Sequence, residues 1–205
     1  MKVMCNWSPK NCLIAIVMLA LVTRLAVAVL TSKPDFPRDD NLRPTSHPGV
    51  EWTFAYEIGH IAASLAMGNG FSWPEWYIWP QGPTSWMAPV FPFVMAGAFK
   101  AFGVFSAQAA IALQVFLTII STLSCILLYL LGKRLYNAQV GLLAAFLFAI
   151  YPTSIQFSVR TLSDISLFIC CLLLIILVFL RLADHPNTRV GACLGILVGF
   201  TALVN

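Results

Sequence analysis

Apolar residues in this chain fall into long runs separated by short polar links, and one long mixed stretch interrupts them. The runs are Cys12 to Leu30, Ala107 to Leu131, Val140 to Ile155, Leu162 to Leu180 and Val190 to Val204. A helix needs about 20 apolar residues to cross a ~30 Å hydrocarbon layer. The first four runs therefore predict membrane spans, and the fifth begins one that falls short at roughly 15 residues. The interruption, Thr31 to Ser106, predicts two shorter helices. In 53–67, Phe54, Ile58, Ile61 and Leu65 recur at i, i+4, i+7 and i+11, with Thr53, Glu57, His60 and Ser64 on the opposite face. Gly68 and Gly70 follow as C-terminal caps. Residues 87–102 form the second helix, and Pro89, Pro92 and Lys100 argue that it lies along the surface or re-enters rather than crossing.

Charge placement orients this pattern. Lys2 and Lys10 precede the first run, Lys133 and Arg134 follow the second, and Arg181 and Arg189 follow the fourth. All become cytoplasmic if 87–102 does not cross, which puts the N-terminus inside and the loop 31–106 outside. Ala26-Val27-Ala28 resembles a signal-peptidase site, but the run is long and Arg24 interrupts it, so an uncleaved anchor is expected. Phe71, Trp73, Trp76, Tyr77, Trp79 and Trp86 crowd the loop at the depth of an aromatic belt, with sugar stacking as the other use of such rings.

Composition agrees. Hydrophobic residues make up 60% of the 205 residues, charged residues 10%, and the mean hydropathy is +0.85. This is an integral membrane protein of all-α class, and a net charge of +4 spread over its links gives no nucleic-acid footprint. The six cysteines, Cys5, Cys12, Cys125, Cys170, Cys171 and Cys193, lie in apolar runs or the N-terminal tail, at neither disulfide-framework nor zinc spacing. His47 and His185 lack partners at ligand spacing, so neither a metal site nor a cofactor is expected.

Candidate chemistry collects in the loop and at the start of the fourth run. An acid placed where the chain leaves the bilayer, as Glu57 is, can act on a group the bilayer presents. Asp164 stands near the outer end of a span, where a lipid-facing carboxylate is costly, and Arg160 precedes it at i−4, able to pair on one helical face. The alternatives are an acid that solvates a polar helix face and a helix-start acid stabilised by the dipole.

Several segments together resemble the N-terminal part of GT-C membrane glycosyltransferases. They are Tyr56-Glu57-Ile58-Gly59-His60-Ile61-Ala62, Gly68-Asn69-Gly70-Phe71-Ser72, Gly82 to Pro92, Ala98 to Gly103, Leu130 to Tyr136, Ala149-Ile150-Tyr151-Pro152 and Arg160-Thr161-Leu162-Ser163-Asp164. The likeness is to bacterial members of the dolichyl-phosphate-mannose protein mannosyltransferase and aminoarabinose transferase group, glycosyltransferase family 39. It implies a polytopic bundle of GT-C type with interfacial helices in the first external loop, in a bacterial inner membrane. It implies transfer of a sugar from a polyprenyl-phosphate donor, at the outer leaflet, to an acceptor hydroxyl of unidentified kind. Glu57 stands where such enzymes hold a catalytic acid, often aspartate, and Asp164 matches a second acid. His60 replaces an arginine of the donor-phosphate contact; Arg160 and Lys100 are further phosphate partners. Arg24 is another, although snorkelling to the interface accounts for both Lys100 and Arg24. Relatives continue past Asn205, so a C-terminally truncated bundle, not competent alone, is expected. The competing class is a non-enzymatic protein, a lipid-linked-sugar flippase component or a scaffold subunit.

Overall fold

A computed structural model describes residues 8–31, 54, 57–73 and 82–205. The expectations at Thr53, His47, Trp76, Tyr77 and Trp79 lie outside these residues. Among those described, eight helices form: α1 (Pro9–Thr31), α2 (Glu57–Ala66), α3 (Val90–Phe102), α4 (Ala107–Leu135), α5 (Ala138–Ile150), α6 (Pro152–Val159), α7 (Ile165–Asp184) and α8 (Thr188–Ala202). A two-residue antiparallel ladder joins β1 (Ser72–Trp73) to β2 (Gly82–Pro83). The all-α membrane bundle read from the sequence is the observed class.

Helix α4 is the centre. Its 29 residues touch α1, α3, α5, α6 and α7. Ser106 starts it by accepting from the Ala109 N–H at 3.1 Å, and Asn137 starts α5 by accepting from the Val140 N–H at 3.0 Å. The α4–α5 hairpin closes without side chains between its backbones. A Cβ on Gly141 would stand 2.5 Å from the Tyr129 carbonyl oxygen, and one on Gly132 would stand 2.7 Å from the Gly141 Cα. Only glycine fits both places. At the same end, Arg134 of α4 donates to the Asp184 carboxylate at the end of α7.

Among the described residues three helices, α1, α4 and α7, are long and apolar enough to cross a membrane, and α5 with α6 makes a fourth if that bent pair is one span. The sequence suggested one run over 140–155. The chain instead bends by 54° between Ile150 and Pro152. Proline has no N–H to donate, and its ring collides with the carbonyl four residues back, so α5 stops and α6 begins afresh with Pro152 in its first turn.

Helix α1 is an integral layer of the bundle, packing Ala20 with Cys125, Tyr129, Ala145 and Ala149. At the opposite end from the hairpin, α2 and α3 lie on the start of α4. Phe54, Ile58, Phe91, Met95, Phe99, Ala109 and Leu113 share one cluster with Leu162, Leu167 and Val204. Helix α3, at 13 residues, is among the shorter apolar helices, as its prolines and Lys100 suggested. Helix α2 departs from its expected form. It is enclosed rather than amphipathic, with every residue from Ile58 to Ser64 buried and Glu57 exposed.

Candidate active site at the carboxylate end

Helix α2 presents Glu57 at its first residue, where the positive end of the helix dipole favours an acid. Its far end is locked by the expected glycine cap. Gly68, at φ +86°, lets its own N–H bond to the Leu65 carbonyl and that of Asn69 to the Ser64 carbonyl, the paired closure of a Schellman turn. The buried Ser64 hydroxyl donates to the Gly70 carbonyl at 3.2 Å and meets the Ser72 hydroxyl at 2.6 Å, which ties helix to ladder. Glu57 thus projects from the first turn of a helix whose far end is held in place.

His60 does not share the open face with Glu57. It is buried, 4% exposed, with its ring 5.7 Å from that of Phe105 in an edge contact. Phe105 also meets Phe54 and Phe99 at 5.5 and 5.2 Å. Burial among these rings pushes the imidazole below its ordinary pKa, because desolvation penalises the charged form. Lys100 is exposed on α3.

Asp164 lies at the other side of this end and is buried, 8% exposed. It occupies the N-cap position of α7, yet its side chain makes no cap bond there. Its Oδ2 instead accepts from Asn205 Nδ2 at 2.7 Å. The partner arrives because α8 ends against α3: the Val90 N–H donates to the Leu203 carbonyl at 3.0 Å. Arg160 is exposed at the end of α6, and a non-helical link separates it from α7. The i, i+4 pairing expected of Arg160 and Asp164 therefore has no single helix to act on, and the ion pair among the described residues is Arg134 with Asp184. Ser163, beside Asp164, has a buried hydroxyl with no hydrogen-bond partner.

Against this geometry, the comparison with known families is decisive. Residues 86–205, more than half of the chain, match the family model described as dolichyl-phosphate-mannose-protein mannosyltransferase. The chain belongs to that family. It is an integral membrane protein of glycosyltransferase type. The family match takes in Lys100, Arg160, Asp164 and Asn205 and begins after Glu57 and His60. No curated protein and no solved structure matched the chain.

Three features of this family member escaped the sequence reading. Asn205 reaches Asp164 from 41 residues away, which no local pattern signals. Ser163 is distinguished only by its burial. Arg24, read as a snorkelling side chain or a phosphate partner, is fully buried between α1, α4, α5 and α6, in contact with Ser121 and Ser154. Serines inside otherwise apolar runs were the available signal, since a hydroxyl in a span needs a polar reason to be there.

Proposed function

We propose that this protein transfers one sugar from a polyprenyl-phosphate donor to an acceptor hydroxyl, with the chemistry at the end of the bundle that carries Glu57 and Asp164 and with that end at the outer face of the membrane. The observation that carries the reading is the shared cluster of Phe54, Ile58, Leu162 and Val204, which brings the helix bearing Glu57 and the link bearing Asp164 to one end. The lipid-linked mannosyl donor in the family's name supports the donor class. The orientation rests on the positive residues at the other end, Lys133, Arg134 and Arg181.

Glu57, exposed and free to reach a ligand, acts as general base, taking the proton of the attacking hydroxyl from about 2.6 to 3.2 Å. As the acceptor oxygen bonds to the anomeric carbon, the bond from that carbon to the phosphate oxygen breaks, and the lipid phosphate leaves as an anion. Arg160 and Lys100 meet that anion in this reading, which their exposure supports. Asp164 has an oxygen beyond the one bonded to Asn205 and serves to orient the acceptor or the sugar. The buried, neutral-leaning His60 holds α2 against Phe105 and does not supply a full positive charge to a phosphate.

One observation favours the translocation reading. A broken helix and a buried cation, Arg24, lie together inside the bundle, as they do in transporters. The guanidinium, however, spends its donors on the protein itself. Both readings are separated by supplying membranes that contain the protein with a radiolabelled polyprenyl-phosphate sugar. Transfer of label to an acceptor, lost in Glu57→Gln, is the expected result. Movement of the intact donor between leaflets without transfer would establish the other class.

A further inference from the structure

We propose that Arg24 is a positioning residue, whose guanidinium braces the broken α5–α6 span and so sets where Asp164 stands; this rests on the glycosyl-transfer reading above. Arginine has five N–H groups, and every one is engaged. Nε donates to Ser121 Oγ at 3.0 Å, and Nη2 donates to Ser121 Oγ and Ser154 Oγ, each at 2.9 Å. Nη1 donates to the Ala20 carbonyl at 3.0 Å and to the Ala149 carbonyl at 3.2 Å. The Phe148 ring lies 6.0 Å from Cζ. The side chain is 0% exposed and has no donor to spare for a ligand.

The choice of partners is what points to bracing. Ala149 is the next-to-last residue of α5, and Pro152 ends that helix, so its carbonyl lies where the backbone ladder stops. Ser154 is in the first turn of α6. One planar fork therefore holds the end of one half-helix, the start of the next and the neighbouring α4, from a base on α1. A bend without such a hold would be free to vary in angle. At the other end of α6, Gln114 Nε2 of α4 donates to the Val159 carbonyl at 2.9 Å, immediately before the link 160–164. Arg24 and Gln114 together fix both ends of the short helix that delivers Arg160 and Asp164. The acceptors are hydroxyls and carbonyls, and the ion pair among the described residues lies elsewhere, at Arg134 and Asp184. The forked shape, rather than a charge pairing, is thus what the site uses, and lysine cannot reproduce it.

The test places spin labels at Leu143 on α5 and Gln156 on α6, both exposed, in a cysteine-free background, with Leu143 and Phe179 on α7 as a control pair. Wild type should give a narrow Leu143–Gln156 distance distribution. Arg24→Gln and Arg24→Lys should both broaden it, leave the control pair unchanged, and lower the sugar-transfer rate by about 10-fold at saturating donor, the scale of one lost charge-assisted hydrogen bond at Asp164. An unchanged width in Arg24→Gln overturns the brace. Rescue of width and rate by Arg24→Lys overturns the role of the fork, and a broadened distribution with full transfer overturns the link to Asp164. Should Arg24→Gln not accumulate, Ser154→Ala removes one acceptor and leaves the cation, and a smaller broadening is expected from it. If wild type itself transfers no sugar, the distance measurements still decide the brace, and the loss falls on the functional reading alone.

Discussion

The two ends of this bundle use their residues differently. At the hairpin end, α4 and α5 cross in backbone contact at Gly132 and Gly141, Asn137 caps α5, and the exposed charges Arg134 and Asp184 satisfy each other. At the carboxylate end, Glu57 is exposed at the start of α2, Asp164 holds a single side-chain hydrogen bond, and the buried Ser163 hydroxyl has none. Buried polar groups are ordinarily paired; among the described residues the Thr122 hydroxyl, midway along α4, is the other buried one without a partner. Geometry at the hairpin end is committed to packing, and the other end is where the proposed chemistry is assigned.

Substitutions at the two ends should therefore separate rate from stability. The largest effect on rate is expected at Glu57: the Gln variant keeps the shape, removes the base, and should transfer sugar about 10²-fold more slowly or worse, with membrane abundance unchanged. A wild-type rate in that variant removes Glu57 from the chemistry. Asp164→Asn keeps an acceptor for Asn205 and loses the charge. A fall of about 10-fold is expected, the scale of one charge-assisted hydrogen bond. If Asp164 serves only to begin α7, the rate per folded molecule will not change.

Gly141→Ala should do the reverse. A methyl group 2.5 Å from the Tyr129 carbonyl oxygen forces the hairpin apart, at about 1–3 kcal/mol. Thermal unfolding in detergent should show the loss, while the transfer rate per folded molecule stays near wild type. An equally stable Gly141→Ala protein would mean that the helices do not touch there.

The smallest effect is a pH dependence. His60 is held below its ordinary pKa by burial, so the unfolded state binds its proton more readily than the folded one does. Its contribution to stability is fully present above about pH 6.5, the unfolded value, and is lost as pH falls from there through the folded value. Unfolding temperatures at about pH 7.5 and 5.5 should differ more in wild type than in His60→Gln. Equal differences would show that other groups set the acid sensitivity.

Hydrophobic run length carried most of the fold. The spans at α1, α4 and α7, the short length of α3 and the glycine cap after α2 all follow from composition and local stereochemistry, which act over a few residues. What escaped depends on distant packing. Pro152 was visible, but whether a membrane proline bends a helix by 54° depends on what its neighbours offer the freed carbonyls, here Arg24. Helical periodicity put Glu57, His60 and Ser64 on one polar face. The structure separates them, because the Phe105 ring packs on His60 and Ser72 of the ladder meets Ser64. Asn205 reaches Asp164 only after α8 has docked on α3.

Photolabelling tests most directly the claim that the carboxylate end is the reactive one. A polyprenyl-phosphate sugar bearing a diazirine near the phosphate, activated in membranes that contain the protein, should mark peptides covering 57–73 and 160–168, and unlabelled donor should compete the marking away. Saturable labelling centred on 129–141, at the hairpin end, would contradict it.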